Sequence, residues 1–240
     1  MRHRYVHVPF CRRRCVYCDF SIAVRHPVPS ESFVAAVRAE RDARSALEQW
    51  EADPLETLYL GGGTPSLLAA EAVAELVEQL ATERAPGAEI TLEANPDDVT
   101  TETAAAWVGA GVNRVSLGAQ SFEPRVLEWM HRTHEAAASE RAVGLLRGAG
   151  VASVSLDLIF ALPESLGRDF GRELARALEL EPDHLSVYGL TAEPRTAWGR
   201  WVAGGTSRPA PEDLYAEEFL RTHDVLTAAG YEHYEISNYA

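Results

Sequence analysis

Glu56-Thr-Leu-Tyr-Leu60-Gly61-Gly62-Gly63-Thr64-Pro65 is the stretch on which the fold turns. A short apolar-rich run ends on three glycines, and the segment after it, Ala69–Arg84, carries a helical pattern. That reads as a strand, a tight turn and a helix: one βα unit. The same alternation extends in both directions. Upstream lie a strand at Arg4–Val8 and a long amphipathic helix at Ser30–Trp50. Downstream, a strand at Glu89–Ala94 leads to a helix at Thr101–Ala110, with Thr100 or Thr101 as N-cap. Arg114–Gly118 is followed by helices near Pro124–His131 and Glu135–Gly148, stopped by Gly148 and Gly150. Val151–Phe160 pairs with a helix at Arg168–Glu179, and Leu185–Leu190 with one at Pro211–Ala229. Tyr231–Ile236 resembles one more strand.

Strands alternating with helices predict βαβ units on a parallel sheet, so the fold class is α/β. Val154–Phe160 reads as apolar on both faces, which fits a sheet covered by helices. Six strands, each followed by at least one helix, predict a partial (β/α)6 TIM-like barrel, with a doubly wound open sheet as the alternative. The whole of 1–240 is expected to form one domain, with 231–240 as the start of a C-terminal extension.

A hydrophobic content of 46% supports a sizeable core. No apolar run approaches the ~20 residues of a membrane span, and no signal-peptide core opens the chain. A soluble, cytoplasmic protein without a membrane span is predicted. The formal net charge of −14 argues against nucleic acid as a partner. Arg12-Arg13-Arg14 is a local exception, read as a solvated loop or as a surface facing an acidic redox partner or anionic substrate.

Three cysteines, Cys11, Cys15 and Cys18, fall within eight residues as C-x3-C-x2-C. An odd, clustered set points to metal or redox chemistry rather than to disulfides. Three thiolates on one loop suit three irons of a cubane and leave the fourth open for a substrate. Zinc is the alternative, with His3 or His7 as a further ligand. Elsewhere, Gly61–Gly63 is either a plain βα turn or a place where backbone meets ligand without Cβ obstruction. Glu93 is either a ligand carboxylate or a cap on the turn at Asn95-Pro96. Asp157 is a charge in an otherwise apolar strand, a type seldom buried without a partner. His131, His134, His184, His223 and His233 show no metal-ligand spacing and are read as surface residues. Trp107, Trp129, Trp198 and Trp201 are assigned to core or interface.

The cysteine spacing resembles that of the radical S-adenosylmethionine superfamily. Its surroundings, Tyr5-Val-His-Val-Pro-Phe-Cys11 through Cys18-Asp-Phe20, are similar to the oxygen-independent coproporphyrinogen III oxidase family. The likeness continues through Leu60–Ser66, Glu93–Pro96, Arg114–Phe122, Asp157–Pro163 and Tyr231–Asn238. It implies a [4Fe-4S] cluster on Cys11, Cys15 and Cys18, with S-adenosyl-L-methionine bound at the open iron. It also implies ligand contacts from Gly62, Gly63, Thr64, Glu93, Gln120, Arg132 and Asp157, the arginine through a bidentate fork. Tyr5 and Tyr17 would flank the cluster and the adenine; for Tyr5, a core role stands beside this one.

Coproporphyrinogen dehydrogenases of the family carry a further cysteine two residues after the third. Here that position is Phe20, the pattern of the heme-chaperone (HemW-like) branch. The resemblance then implies binding of heme or a porphyrin, transfer to a heme-accepting apo-protein, and reduced flavodoxin or ferredoxin as electron donor. Radical oxidation of a porphyrinogen, and a non-catalytic metal-binding module, are the alternatives. Family members continue into a C-terminal helical domain, which this chain, ending at Tyr239-Ala240, is expected to lack.

Overall fold

In the computed structural model, which describes residues 2–46 and 53–240, one seven-stranded sheet organises the chain. Its strands are β1 (His3–Val8), β4 (Leu55–Gly62), β5 (Arg84–Ala94), β6 (Arg114–Gln120), β7 (Ser153–Phe160), β8 (His184–Gly189) and β9 (Asn238–Tyr239), adjacent in that order. The first six are parallel neighbours, and β9 joins antiparallel to β8. Strand order follows chain order without a reversal. Crossovers of one hand, all stepping the same way, put the helices of the main core on one face and curl the sheet into a barrel segment. A doubly wound sheet needs a point where the order reverses, and this sheet has none among its described strands. The fold is the predicted partial α/β barrel.

The helices between the strands are α1 (Ser30–Ser45), α2 (Ala70–Leu80), α3 (Thr101–Ala110), α4 (Pro124–Trp129), α5 (Ala136–Ala149) and α6 (Phe170–Glu179). After β8 come α7 (Ala197–Ala203) and α8 (Glu212–Ala228). Thr100 caps α3 through a reciprocal bond with Thr103. Gly150, at φ 91°, ends α5, whereas Gly148 lies inside that helix. Leu58, Leu60, Ile90, Leu92, Val115, Leu117, Val154 and Leu156 point at the helices and form the main core.

The other strand faces correct a sequence expectation. β7 is not apolar on both sides: Ser155 and Asp157 turn inward, beside Ser116 of β6 and His184 and Ser186 of β8. A partial barrel keeps a polar lumen where a covered open sheet would be dry on both faces. Ser155 Oγ and His184 Nδ1 lie 2.8 Å apart, and His184 Nε2 is 2.8 Å from the Tyr234 hydroxyl. His184 and His134 are therefore buried, not surface residues. Burial pushes both imidazoles down to about 4, so both are neutral near pH 7.

Two boundaries also differ. The predicted second helix stops at Leu80, because Glu83 and Arg84 pair with Leu55 and open β5. Tyr231–Ile236 forms no continuous strand: it contributes only an isolated bridge at His233, bends at 235–237, and the edge strand forms at Asn238–Tyr239. Residues 47–50 of the predicted first helix lie outside the described residues. Two small elements had no periodic signal: the parallel pair β2 (Phe10–Cys11) and β3 (Ala23–Val24), and helix α7. No helix among the described residues is long and apolar enough to cross a membrane.

Candidate functional site

The C-terminal ends of β4 to β8 open into a cavity of about 620 Å³, and Cys11, Cys15 and Cys18 line it. Backbone bonds anchor the cysteine loop at both ends: Ala23 N donates to Pro9 O (2.6 Å) and Arg25 N to Cys11 O (3.3 Å). Its middle is pinned by Val16, which is fully buried in a second apolar cluster with Val126, Met130, Ile159, Leu162 and Trp198. Val16 N donates to Met130 O, and Trp198 N to Val16 O. The arginine run is exposed but engaged. Arg12 donates to Asp98 at 2.5 Å, Arg13 to the carbonyl of Arg132, and Arg14 to that of Ile22. Asp98 also accepts from Ser66 Oγ at 2.7 Å, so the loop is tied to the turns after β4 and β5.

Around the sulfurs the donors are specific. Thr64 Oγ1 donates to Cys11 Sγ at 3.5 Å, Arg132 Nη1 to Cys15 Sγ at 3.8 Å, and the backbone N–H of Phe20 to Cys18. Burial pushes the Cys11 and Cys18 thiols up, and coordination to a metal would reverse that balance by favouring thiolate. Among the described residues, no three His, Cys, Asp or Glu side chains converge as a site for one ion. His7 and His3 point elsewhere. His7 Nε2 is 2.8 Å from Ser21 O, and His3 Nδ1 is 3.0 Å from Thr57 Oγ1. Neither completes a zinc set.

The glycine turn packs too closely on β1 and the start of the cysteine loop to admit a Cβ. Gly62 sits at φ 113°, where a Cβ would lie 2.6 Å from the His7 ring, and a Cβ on Gly63 would lie 2.7 Å from the Phe10 carbonyl. Glu93 closes the turn from β5. It accepts from Gly62 N at 2.9 Å and from the Tyr59 hydroxyl at 2.9 Å. Burial raises its pKa, and these two bonds oppose the rise by favouring the carboxylate.

Gln120 lines the cavity at a bulge in β6, with φ 64°. Backbone in this region is strained for a residue with a Cβ and clusters at functional positions. Arg132 enters the same cavity, but its guanidinium is largely committed. Nη2 donates to Asn95 Oδ1 (2.6 Å) and to Gly118 O (2.7 Å), Nη1 to Cys15, and Nε is buried with no partner. A free two-pronged fork is therefore not what the structure presents. Asp157 accepts from Ser116 Oγ at 3.0 Å; burial, and secondarily the charge of Glu93, raise its pKa to about 7. Tyr17 lines the cavity beside Cys15, its hydroxyl pushed upward by burial. Tyr5 lies outside it, 60% exposed, with its ring stacked on Tyr59.

Thus the structure brings together eleven of the twelve residues singled out from sequence, Tyr5 being the exception. Sequence reasoning missed the residues that brace them. Asn95, Ser66, Asp98 and Gly118 sit in or beside motifs already quoted, where small or polar residues next to glycines were the available signal. Trp198, expected in the core or an interface, is fully buried, but its contact with Val16 carried no signal, since it joins the cysteine loop to helix α7, 182 positions away.

A family model described as the radical SAM superfamily matches residues 5–188. The Escherichia coli heme chaperone HemW is 39% identical over 98% of this chain and 62% of its own length. The Mycobacterium tuberculosis HemW is 38% identical over 98% of this chain and 61% of its own. The chain thus spans about three-fifths of the length of these relatives. Among solved structures, coproporphyrinogen III oxidase (HemN) from Escherichia coli superposes with a TM-score of 0.87 at 26% identity, covering 100% of this chain and 55% of that one. The superfamily implies a [4Fe-4S] cluster and S-adenosylmethionine, and this chain has its three cysteines on one cavity. The chain belongs to the radical S-adenosylmethionine superfamily and is related to its HemW and HemN proteins.

Proposed function

We propose that Cys11, Cys15 and Cys18 hold a [4Fe-4S] cluster in this chain, and that Gly62, Gly63, Thr64, Glu93, Gln120, Arg132 and Asp157 hold S-adenosylmethionine beside it. The observation that carries this reading is the convergence of all three cysteines and the Gly62–Thr64 turn on one cavity. A single ion needs donors that meet at a point; a cubane spreads three thiolates over three irons. When bound, the pair would supply one-electron reductive cleavage of the sulfonium, and the polypeptide would supply position and electrostatics. Glu93 orients the Gly62–Thr64 turn through Gly62 N, while Val8 O holds Gly63 N. Carboxylate oxygens of Glu93 and Asp157 suit an ammonium group or ribose hydroxyls.

For the whole protein's role, we infer heme binding and delivery to an apo-protein, with reduced flavodoxin or ferredoxin as electron donor. The HemW names of the relatives and Phe20, in place of a fourth cysteine, support this reading. The likeness to HemN supports the competing one, porphyrinogen oxidation. Anaerobic reconstitution, with iron and sulfide analysis, EPR and 5′-deoxyadenosine measurement, tests the first proposal. Tightly bound zinc without a cluster would overturn it. Heme titration beside a coproporphyrinogen turnover assay tests the second: saturable heme binding without turnover is expected, and protoporphyrinogen formation would reverse the assignment.

A further inference from the structure

Each sulfur in the cysteine loop has a hydrogen-bond donor from outside the thiol set, Cys15 having the Tyr17 hydroxyl besides Arg132, and the donors are unequal. Cys11 receives a neutral hydroxyl from Thr64, and Cys18 a neutral backbone N–H from Phe20. Cys15 alone receives a cationic donor, Nη1 of Arg132. That cation is not free to move. Its other terminal nitrogen is held by Asn95 Oδ1 at 2.6 Å and Gly118 O at 2.7 Å. Gly118 keeps the space clear, because a Cβ there would come within 3.2 Å of Nη2. The carbonyl of Arg132 is tied back to the cysteine loop by Arg13. Asn95 is braced in turn, its backbone N–H donating to Ser66 Oγ at 3.1 Å. Asn95 and Gly118 O are neutral acceptors, and the carboxylate that acts on the guanidinium through its charge is Asp97, which makes no hydrogen bond to it. Asp98, in the same network, is occupied by Arg12 and Ser66.

We infer that Arg132 sets the reduction potential of the cluster, by fixing a buried positive charge and an N–H···S bond on the Cys15 ligand. This rests on the cluster assignment proposed above. The argument is electrostatic. The one-electron couple adds an electron and no proton to the cluster, so the reduced form carries one more negative charge. A fixed cation beside one ligand stabilises the reduced form more than the oxidised one, and hydrogen bonds to sulfur act in the same direction. In a partly buried site that attraction is screened far less than on an open surface. Arg132 would thus ease acceptance of an electron from a weak biological donor, a role separate from any contact with the S-adenosylmethionine carboxylate.

EPR-monitored redox titration of the reconstituted chain without S-adenosylmethionine, with dithionite as reductant, isolates this role. Arg132→Met removes the charge and the donor. At the wild-type midpoint its ratio of reduced to oxidised cluster is expected to fall at least tenfold, which is about 59 mV downward for one electron. Asn95→Asp keeps the arginine but places a carboxylate on Nη2, and a fall in the same direction is expected. Arg132→Lys, which retains a charge, should fall less than Arg132→Met. If Arg132→Met fails to load a cluster, Asn95→Asp decides alone. Midpoints of all loaded variants within twofold of wild type in that ratio would overturn the inference. Failure of the wild-type chain to assemble a cluster would instead overturn the underlying assignment, so the two failures are distinguishable.

Discussion

Glu93 on β5 holds the backbone N–H of Gly62 on β4 at 2.9 Å, across a parallel strand pair whose register ends just before that turn. Gly62 itself sits at φ 113°. An alanine there meets both a left-handed backbone and the His7 ring at 2.6 Å, and that ring is itself held by the Ser21 carbonyl. Gly62→Ala is expected to cost about 1–3 kcal/mol. It should also weaken S-adenosylmethionine binding in the reconstituted protein by more than the lost stability alone explains. Urea unfolding at neutral pH, with ligand titration at a temperature where the variant is fully folded, measures both.

Asp157 gives a pH dependence of definite sign. Its folded pKa, about 7, lies above the ordinary 3.8 because burial disfavours the charged form. Between those values the folded chain binds more protons than the unfolded one, so this group makes stability fall as pH rises from about 4 to 7 and level off above. Asp157→Asn keeps an acceptor for Ser116 and removes the penalty. It should raise stability by on the order of 1–3 kcal/mol above pH 7. The gain should shrink steadily toward pH 4. Urea midpoints of both proteins across that range decide; an equal gain at pH 4 and pH 8 would be incompatible with a titrating carboxylate.

Much of this was legible because the strands report their own surroundings. The runs at Glu56–Leu60 and Glu89–Ala94 gave strands, and the glycine turn after Leu60 marked a place where backbone could meet a ligand. Val154–Phe160 was harder. The segment reads as apolar on both faces, and only the register beside Ser116 and His184 shows Ser155 facing a polar lumen. His134 and His184 were misread for the same reason: burial of an isolated histidine depends on neighbours remote in sequence, His184 resting on Ser155 and Tyr234. The cysteines were locally encoded, whereas the clasp of Arg12, Asp98, Ser66, Asn95 and Arg132 around them joins four separate turns. No local pattern specifies such a joint.

The support beneath the cysteine loop is another such joint. Val16 is fully buried against the cluster containing Met130 and Trp198, and its carbonyl accepts from Trp198 N. Trp198→Ala would leave a cavity there and cost about 3–5 kcal/mol if the rest of the fold stays rigid. Because this cluster lies under the loop and apart from the main core, the loss should concentrate in the loop. The expected result is faster hydrogen exchange across residues 11–18 and quicker iron release to a chelator. Uniform loosening across β4 and β5 would contradict this placement.

Two strained positions at the barrel mouth share one anchor. Gln120 at φ 64° ends β6, and Ala161 at φ 56° follows β7. Glu173 holds the residues after Gln120, accepting from Ser121 Oγ and from Phe122 N at 2.8 Å. Glu218 accepts from Ala161 N at 2.6 Å. Arg168 joins the two carboxylates, donating to each at 2.7 Å, with all three side chains largely buried. Replacing the arginine strands two buried negative charges near each other, a change that typically costs about 3–5 kcal/mol. Arg168→Met should therefore destabilise strongly, and the triple change Arg168→Met, Glu173→Gln, Glu218→Gln should recover part of that loss by removing the charges. Denaturant unfolding separates the two outcomes. A single variant as stable as wild type would show that the carboxylates are neutralised by some other means, and that Gln120 and Ala161 keep their conformations without this ion cluster.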